Sequence, residues 1–234
     1  VAVSNTVQRD PRDIEREFES LFAIMRRPSF RTGSDTAGEP ANYIYAYPPV
    51  KELEVERRTD QLANRLRSMT MPSPAETAPG VLIIDLYETA IQVLRDSRIF
   101  ERVLRKEPRL HRASPDGEIP DMFTQSLIDK LSPDKDDLMD SIAEQYRQAR
   151  EHKQGDIVFI TGVGKVYPYI RTHILMERIQ LVFEQTRPVV LFFPGTYAKT
   201  ASTVSTMRLF DRLESSNYYR AFSLNAMEDP LADE

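Results

Sequence analysis

The stretch "FITGVGKVYPYIRTH" (residues 159–173) gathers two glycines, a lysine, two tyrosines around a proline, an arginine and a histidine. Residues of these types can cradle a phosphate, perform acid–base work or face another protein. A phosphate loop of the Walker type needs G-x-x-x-x-G-K-[ST]. Here Gly164 and Lys165 are followed by Val166, and Phe159 stands where the first glycine belongs. No hydroxyl is offered to a magnesium ion, and an apolar strand cannot wrap a phosphate. The dinucleotide pattern G-x-G-x-x-G also fails, because Tyr167 occupies its third glycine position. Asp85, closing "VLIID", has the form of a strand-end magnesium ligand. Without a phosphate loop it reads more simply as the cap of the following helix. No G-x-S-x-G nucleophile turn occurs. His111, His152 and His173 are too scattered for metal-ligand spacing. Neither a catalytic set, a metal site nor a cofactor is therefore expected.

What remains distinctive is aromatic. Tyr167, Tyr169 and, in a neighbouring turn, Tyr197 accompany Arg171, and Tyr and Arg are enriched at protein-binding hot spots. Pro168 stiffens the approach and lowers the entropy lost on binding. Arg171 and His173 fall in the early turns of an expected helix, where unpaired N–H groups attract anions. The candidate partner- or ligand-binding set is Gly162, Gly164, Lys165, Tyr167, Pro168, Tyr169, Arg171, His173, Pro194, Gly195 and Tyr197. The same residues have a plainer use: glycines for a tight turn, Pro194 and Gly195 to end a strand, His173 to pack locally. A second candidate is basic. Arg95, Arg98, Arg102 and Arg105, spaced three, four and three apart, would share one side of a helix. Lys106, Arg109, His111 and Arg112 follow closely. Such a face is either ordinary solvated surface or a contact for phosphates or an acidic partner.

These residues must be positioned by the rest of the 234-residue chain, which is 41% apolar and 29% charged, as in a soluble globular protein. No apolar run approaches the ~18–20 residues of a membrane helix. The opening residues lack the layout of a secretory signal, and without cysteine there is no disulfide framework. A cytoplasmic protein with no membrane partner is expected. A net charge of −5 argues against the whole chain being a nucleic-acid clamp.

Ile14, Phe18, Leu21, Phe22 and Met25 recur at helical spacing, and the Gly/Ser/Thr-rich residues 29–42 read as a loop. "NYIYAYPP" is a short strand, followed by a charged helix over residues 50–69. "VLIIDL", "DIVFITGV" and "RPVVLFFPG" are continuous apolar runs, the mark of strands covered on both faces. A helix through Ile91, Leu94, Ile99 and Val103 follows the first. A short helix over residues 123–131 precedes a longer one started by Ser132 and Pro133. Another helix is expected from Pro168, a last one through Met207, Leu209, Phe210 and Leu213, and a final strand in "YYRAFSL". Strands alternating with helices predict a three-layer α/β fold: a mainly parallel sheet of about five strands with helices on both faces. The expected organisation is an N-terminal amphipathic helix and loop (1–42), a single α/β domain (43–225) and an acidic tail (226–234).

Taken in order and spacing, "FITGVGKVYPYIRTH", "RPVVLFFPGTY" and "YYRAFSL" resemble the BrxB family of the BREX phage-defence systems. The resemblance runs over about residues 43–224. It implies a cytoplasmic, non-enzymatic assembly or regulatory subunit whose partner is the alkaline-phosphatase-like PglZ protein, with other BREX components as further partners. No catalytic residue is implied. Two other readings stay open: a nucleotide- or phosphate-responsive protein using Asp85, Lys165, Arg171 and His173, and direct DNA contact through the basic helix.

Overall fold

The computed structural model of the chain describes residues 13–110, 122–199, 205–217 and 221–227. Helix α1 (Asp13–Met25) and the single turn α2 (Pro28–Arg31) precede strand β1 (Asn42–Tyr47) and helix α3 (Glu52–Arg67). Strand β2 (Val81–Asp85) leads into α4 (Leu86–Asp96), α5 (Phe100–Leu110), α6 (Met122–Leu131) and α7 (Asp136–Glu151). Then come β3 (Ile157–Thr161), α8 (Thr172–Ile179), β4 (Val189–Lys199), β5 (Ser205–Leu209), β6 (Leu213–Asn217) and β7 (Phe222–Ser223). Five strands pair in parallel in the order β2-β3-β4-β1-β7, and the antiparallel β5–β6 hairpin continues from β4. The fold is α/β with a mostly parallel sheet and helices around it.

Alternation along the strands builds two cores. Tyr43, Tyr45, Tyr47, Phe159 and Phe192 point to one face, where α1 and α3 cover them with Phe18, Leu21, Leu62 and Leu66. Ile44, Ile84, Val158, Ile160, Leu191 and Phe193 point to the other, against α4, α6, α7 and α8. This explains the runs without polar interruption: central strands have no wet face. The chain steps from β1 out to β2 with α3 on one face, then returns through β3 to β4 with its helices on the other. Opposite directions on opposite faces are what a single crossover hand requires. The first helix is part of this packing. Glu17 accepts a 2.6 Å hydrogen bond from the Tyr45 hydroxyl, and Arg65 of α3 clasps Glu19 with both terminal nitrogens.

The sheet edges are closed by side chains. Arg67 donates to the Val81 carbonyl at 2.7 and 3.2 Å on the outer edge of β2. β7 pairs with β1 only at Tyr43 and Ile44. Beyond it the Asn225 amide takes over the ladder, accepting from the Ala46 N–H (2.8 Å) and donating to its carbonyl (3.0 Å).

Several expected elements are corrected. The last helix is instead the β5–β6 hairpin. Met207 and Leu209 are buried two residues apart, the period of a strand, while Thr206 and Arg208 alternate outward. Its tip turns through Phe210 and Asp211, both at positive φ (55° and 59°). Hairpin turns of that kind usually announce themselves with Asn-Gly or Asp-Gly, and this one does not. The third strand does not stop at Pro194 and Gly195 but runs on to Lys199, exchanging parallel pairing with β1 for antiparallel pairing with β5. Helix α7 starts at Asp136, because residues 132–135 close as a turn, with the Lys135 N–H bonded to the Ser132 carbonyl at 2.9 Å. Helix α8 starts at Thr172, not Pro168, since residues 162–170 are spent in successive turns.

The basic face is also corrected. Arg95, Arg98, Arg102 and Arg105 do not share a helix: Arg95 ends α4, Arg102 and Arg105 belong to α5, and Arg98 lies between at φ 56°. The Ile99 N–H reaches the Leu94 carbonyl (3.1 Å) and the Arg98 N–H the Arg95 carbonyl (2.8 Å). That is a Schellman termination with arginine at the left-handed position where glycine is usual. Arg98→Gly should therefore raise stability by about 0.5–1 kcal/mol in urea denaturation, the relief of left-handed strain exceeding glycine's extra entropy. A neutral or destabilising result would mean that the arginine makes up its strain elsewhere. His111, Arg112, Tyr218, Tyr219, Arg220 and most of the acidic tail lie outside the described residues.

Candidate functional site

Ligands of open parallel sheets gather beyond the carboxyl ends of the strands. Register brings those ends level: Tyr47 lies opposite Pro194, and Asp85 opposite Thr161. The loop 162–171 crosses this edge. Its apolar members Val163, Val166 and Ile170 are buried in the core under α4, α7 and α8, which turns Lys165, Tyr167 and Arg171 outward. Gly162 stands at φ 76°, and a Cβ there would lie 2.9 Å from an Asp85 carboxylate oxygen. Gly164 is packed tightly, 3.0 Å from Phe210 and 3.2 Å from Pro194 by the same measure, so it admits the hairpin tip.

The centre of this edge is filled by ion pairs. Lys165 Nζ lies 2.7 Å from Glu56 and 3.7 Å from Asp85. Burial works against its charge, but the bond to Glu56 and the fields of Asp85, Glu56 and Glu52 hold the ammonium above the usual lysine range. Asp85 does double service: its Oδ1 accepts from the N–H groups of Tyr87 (2.8 Å) and Glu88 (3.1 Å), capping α4. Glu52 accepts from the Tyr47 hydroxyl at 2.8 Å. The space left among these groups is about 10 Å³, no more than one water requires (~10–15 Å³ on the same measure). A phosphate or nucleotide has no room there in this conformation. The convergence expected of Asp85, Lys165, Arg171 and His173 is thus partial, since Lys165 meets Asp85 while its charge is already committed to Glu56.

Burial, then the field of Arg171, pushes the His173 imidazole below its ordinary value, against Glu177 and Asp134. A neutral imidazole brings no charge to an anion. Among the described residues no group of three or more histidine or carboxylate side chains could hold a metal ion. A much larger cleft lies elsewhere, between α4 and α7, with a volume of about 920 Å³. Glu88, Asp96, Asp137, Asp140 and Glu144 line it, against two cations, Arg95 and Lys130. That is the wrong sign for a phosphate backbone.

Glu52 gives a measurable signature. Burial raises its carboxyl above the ordinary carboxylate value, assisted by Glu56 and Asp85 and opposed by the Tyr47 bond and Lys165. A raised acid pKa means that the fold prefers the neutral form. This group's contribution is therefore most favourable at acid pH and is lost as pH rises through the raised value. Glu52→Gln keeps an acceptor for Tyr47 and removes the charge. It should melt higher than the parent at pH 7.5, the two converging near pH 4. An unchanged difference across that range would mean that the carboxylate is not the cause.

At Tyr167 the loop meets an exposed apolar patch. Tyr167, 43% exposed, sets its ring edge-on to Phe210 at the hairpin tip, 6.2 Å between centroids. Phe210 and Leu213 share an open groove with Pro49 and Val50, which follow β1. Val50 is 90% exposed and Leu213 41%. Tyr167, Gly164 and Pro194 thus come together here. Other predicted members do not join them. Tyr169 packs against the core, the Tyr197 hydroxyl donates to the Ala221 carbonyl at 3.0 Å, and Arg171 stands at the start of α8. Gly195 lies inside the strand against Arg208. Val50, Phe210 and Leu213 were absent from the sequence-based set. The signal that could have found them is the prolyl pair before Val50 and the Phe-Asp turn, neither a usual place for apolar residues.

No helix among the described residues is long and apolar enough to cross a membrane. Residues 82–224 match the family model described as BREX protein BrxB. A BREX protein BrxB from Bacillus cereus (strain H3081.97) is 27% identical over 213 residues, covering 91% of this chain and 98% of the relative. Another BREX protein BrxB, from Escherichia coli O9:H4 (strain HS), is 26% identical over 219 residues, covering 94% and 95%. No solved structure gives a significant match. The family match spans both the strand-end loop and the hairpin that meets it, and the chain belongs to the BrxB family of the BREX phage-defence systems.

Proposed function

We propose that this protein is a non-enzymatic assembly or regulatory subunit of a BREX phage-defence complex, acting in the cytoplasm by binding the alkaline-phosphatase-like PglZ protein. Its docking surface is the apolar patch of Val50, Tyr167, Phe210 and Leu213. The observation that carries this reading is the reversal at the strand ends: the place where such sheets hold ligands is closed by ion pairs, while large apolar side chains stand exposed beside it. An aromatic centre with Arg212 beside it has the composition of a hot spot. Phe210 strengthens the case. A left-handed backbone costs a bulky residue about 1–2 kcal/mol, and the tip keeps a phenylalanine there where glycine would be unstrained.

The test is size-exclusion chromatography with light scattering on this protein mixed with PglZ of the same BREX system. A joint peak stable from low to physiological salt is expected, because burial of apolar surface is little screened. Separate peaks at every salt concentration would remove PglZ as the direct partner.

A further inference from the structure

We infer that Lys165 is a positioning residue: its ammonium is an ionic clasp that holds the strand-end loop against α3 and α4 and thereby sets Tyr167 onto Phe210. This rests on the reading of the patch as a docking surface, and it assigns Lys165 to the support of that surface rather than to contact with a ligand. The loop is held from two sides. On one side Lys165 reaches Glu56 of α3 at 2.7 Å and Asp85, the cap of α4, at 3.7 Å, while Gly162 lies against the same Asp85 carboxylate. On the other side Gly164 abuts Phe210 and Pro194, and Tyr167 meets the Phe210 ring. Lys165 follows Gly164 directly and only Val166 separates it from Tyr167, so a shift at Lys165 is passed on to the hairpin tip.

The charges facing Lys165 come from every neighbouring element: Glu52 and Glu56 from α3, Asp85 from the end of β2, and the neutral Tyr47 phenol from β1. One cation thus answers three carboxylates. Removing it leaves the carboxylates to repel one another directly beneath the loop. An ion pair on an open surface contributes little, but this one is shared among three acids and partly screened from water.

The experiment is amide hydrogen exchange on the whole protein, comparing the parent with Lys165→Met, Lys165→Glu and the double variant K165E/E56K. Lys165→Met keeps the aliphatic stem and loses only the charge. Exchange across residues 163–171 and at the hairpin tip, 209–213, should rise about fivefold or more in both single variants. The double variant restores one cation among three carboxylates and should return both segments to within about threefold of the parent. A role confined to local packing would leave the tip unchanged and would not be rescued by exchanging the charges. Either of those results overturns the clasp. Binding of PglZ to the same variants should follow the exchange rates. If the parent itself forms no complex with PglZ, the proposed function falls, and exchange at the tip still decides the role of Lys165.

Discussion

Val50→Asp and Tyr167→Ala are each expected to weaken the complex with PglZ by about thirtyfold or more, the loss of a hot-spot contact worth about 2 kcal/mol. Neither should trouble the fold. Val50 is 90% exposed, so a carboxylate there remains in water in the free protein. Against an apolar partner the same carboxylate must be stripped of water without a counter-charge. Tyr167 is 43% exposed and its described ring contact is the edge-on pair with Phe210. Its removal should cost the free protein about 1 kcal/mol, the usual worth of such a pair. Leu181→Asp is the control, an equally drastic change at a residue 76% exposed in the turn after α8, at the other end of the strands. Calorimetric titration should separate the three, with Leu181→Asp binding as the parent does. Parent-like binding by Val50→Asp and Tyr167→Ala would move the interface away from this patch.

The layout of the sheet was legible because parallel strands buried on two faces write themselves as unbroken apolar runs, and "VLII", "IVFI" and "VVLFF" all do. The hairpin was not. Residues 207, 209, 210 and 213 satisfy a helical spacing as well as a strand's, and the turn that decides between them lacks glycine and asparagine. Its left-handed Phe210 packs against the loop at Gly164, a contact between distant parts of the chain. The site divides in the same way. Tyr167 and the glycines were visible because they sit in one stretch. The clasp joins Lys165 to Glu56, 109 residues earlier, and no local pattern encodes that meeting. Val50 and Leu213 were passed over for a different reason: in a sequence an exposed apolar side chain is indistinguishable from a core one, and only burial tells them apart. The arginine face failed on a single residue, since the spacing of Arg95, Arg98, Arg102 and Arg105 suits one helix until Arg98 turns left-handed.

Gly195→Ala is expected to be the most damaging single-methyl change in the protein, costing about 3 kcal/mol or more from combined strain and overpacking. At Gly195 the backbone has φ 150°, and an added Cβ would stand 2.0 Å from the Arg208 carbonyl oxygen and 3.1 Å from the Phe210 nitrogen. Those neighbours are main chain in the paired strand, so no side chain can swing aside. The position also has a geometric task. Pro194 is the last residue of β4 in register with β1, and Gly195 the first in register with β5. The strand passes there from the parallel sheet into the hairpin, and the Phe210 N–H closes the junction on the Pro194 carbonyl at 2.9 Å. Forcing the strands apart displaces Phe210 from beneath Tyr167. The three site glycines should therefore rank by what their Cβ would meet. Gly195→Ala meets backbone. Gly162→Ala meets the Asp85 carboxylate at 2.9 Å and adds the strain of φ 76°. Gly164→Ala meets the edge of the Phe210 ring at 3.0 Å, at an ordinary φ, and should be mildest in thermal denaturation. A Gly164→Ala protein that keeps its melting temperature but binds PglZ more weakly would tie the loop-to-tip contact to docking. The opposite order of stabilities, with Gly195→Ala the mildest, would show that the strand junction yields where its geometry says it cannot.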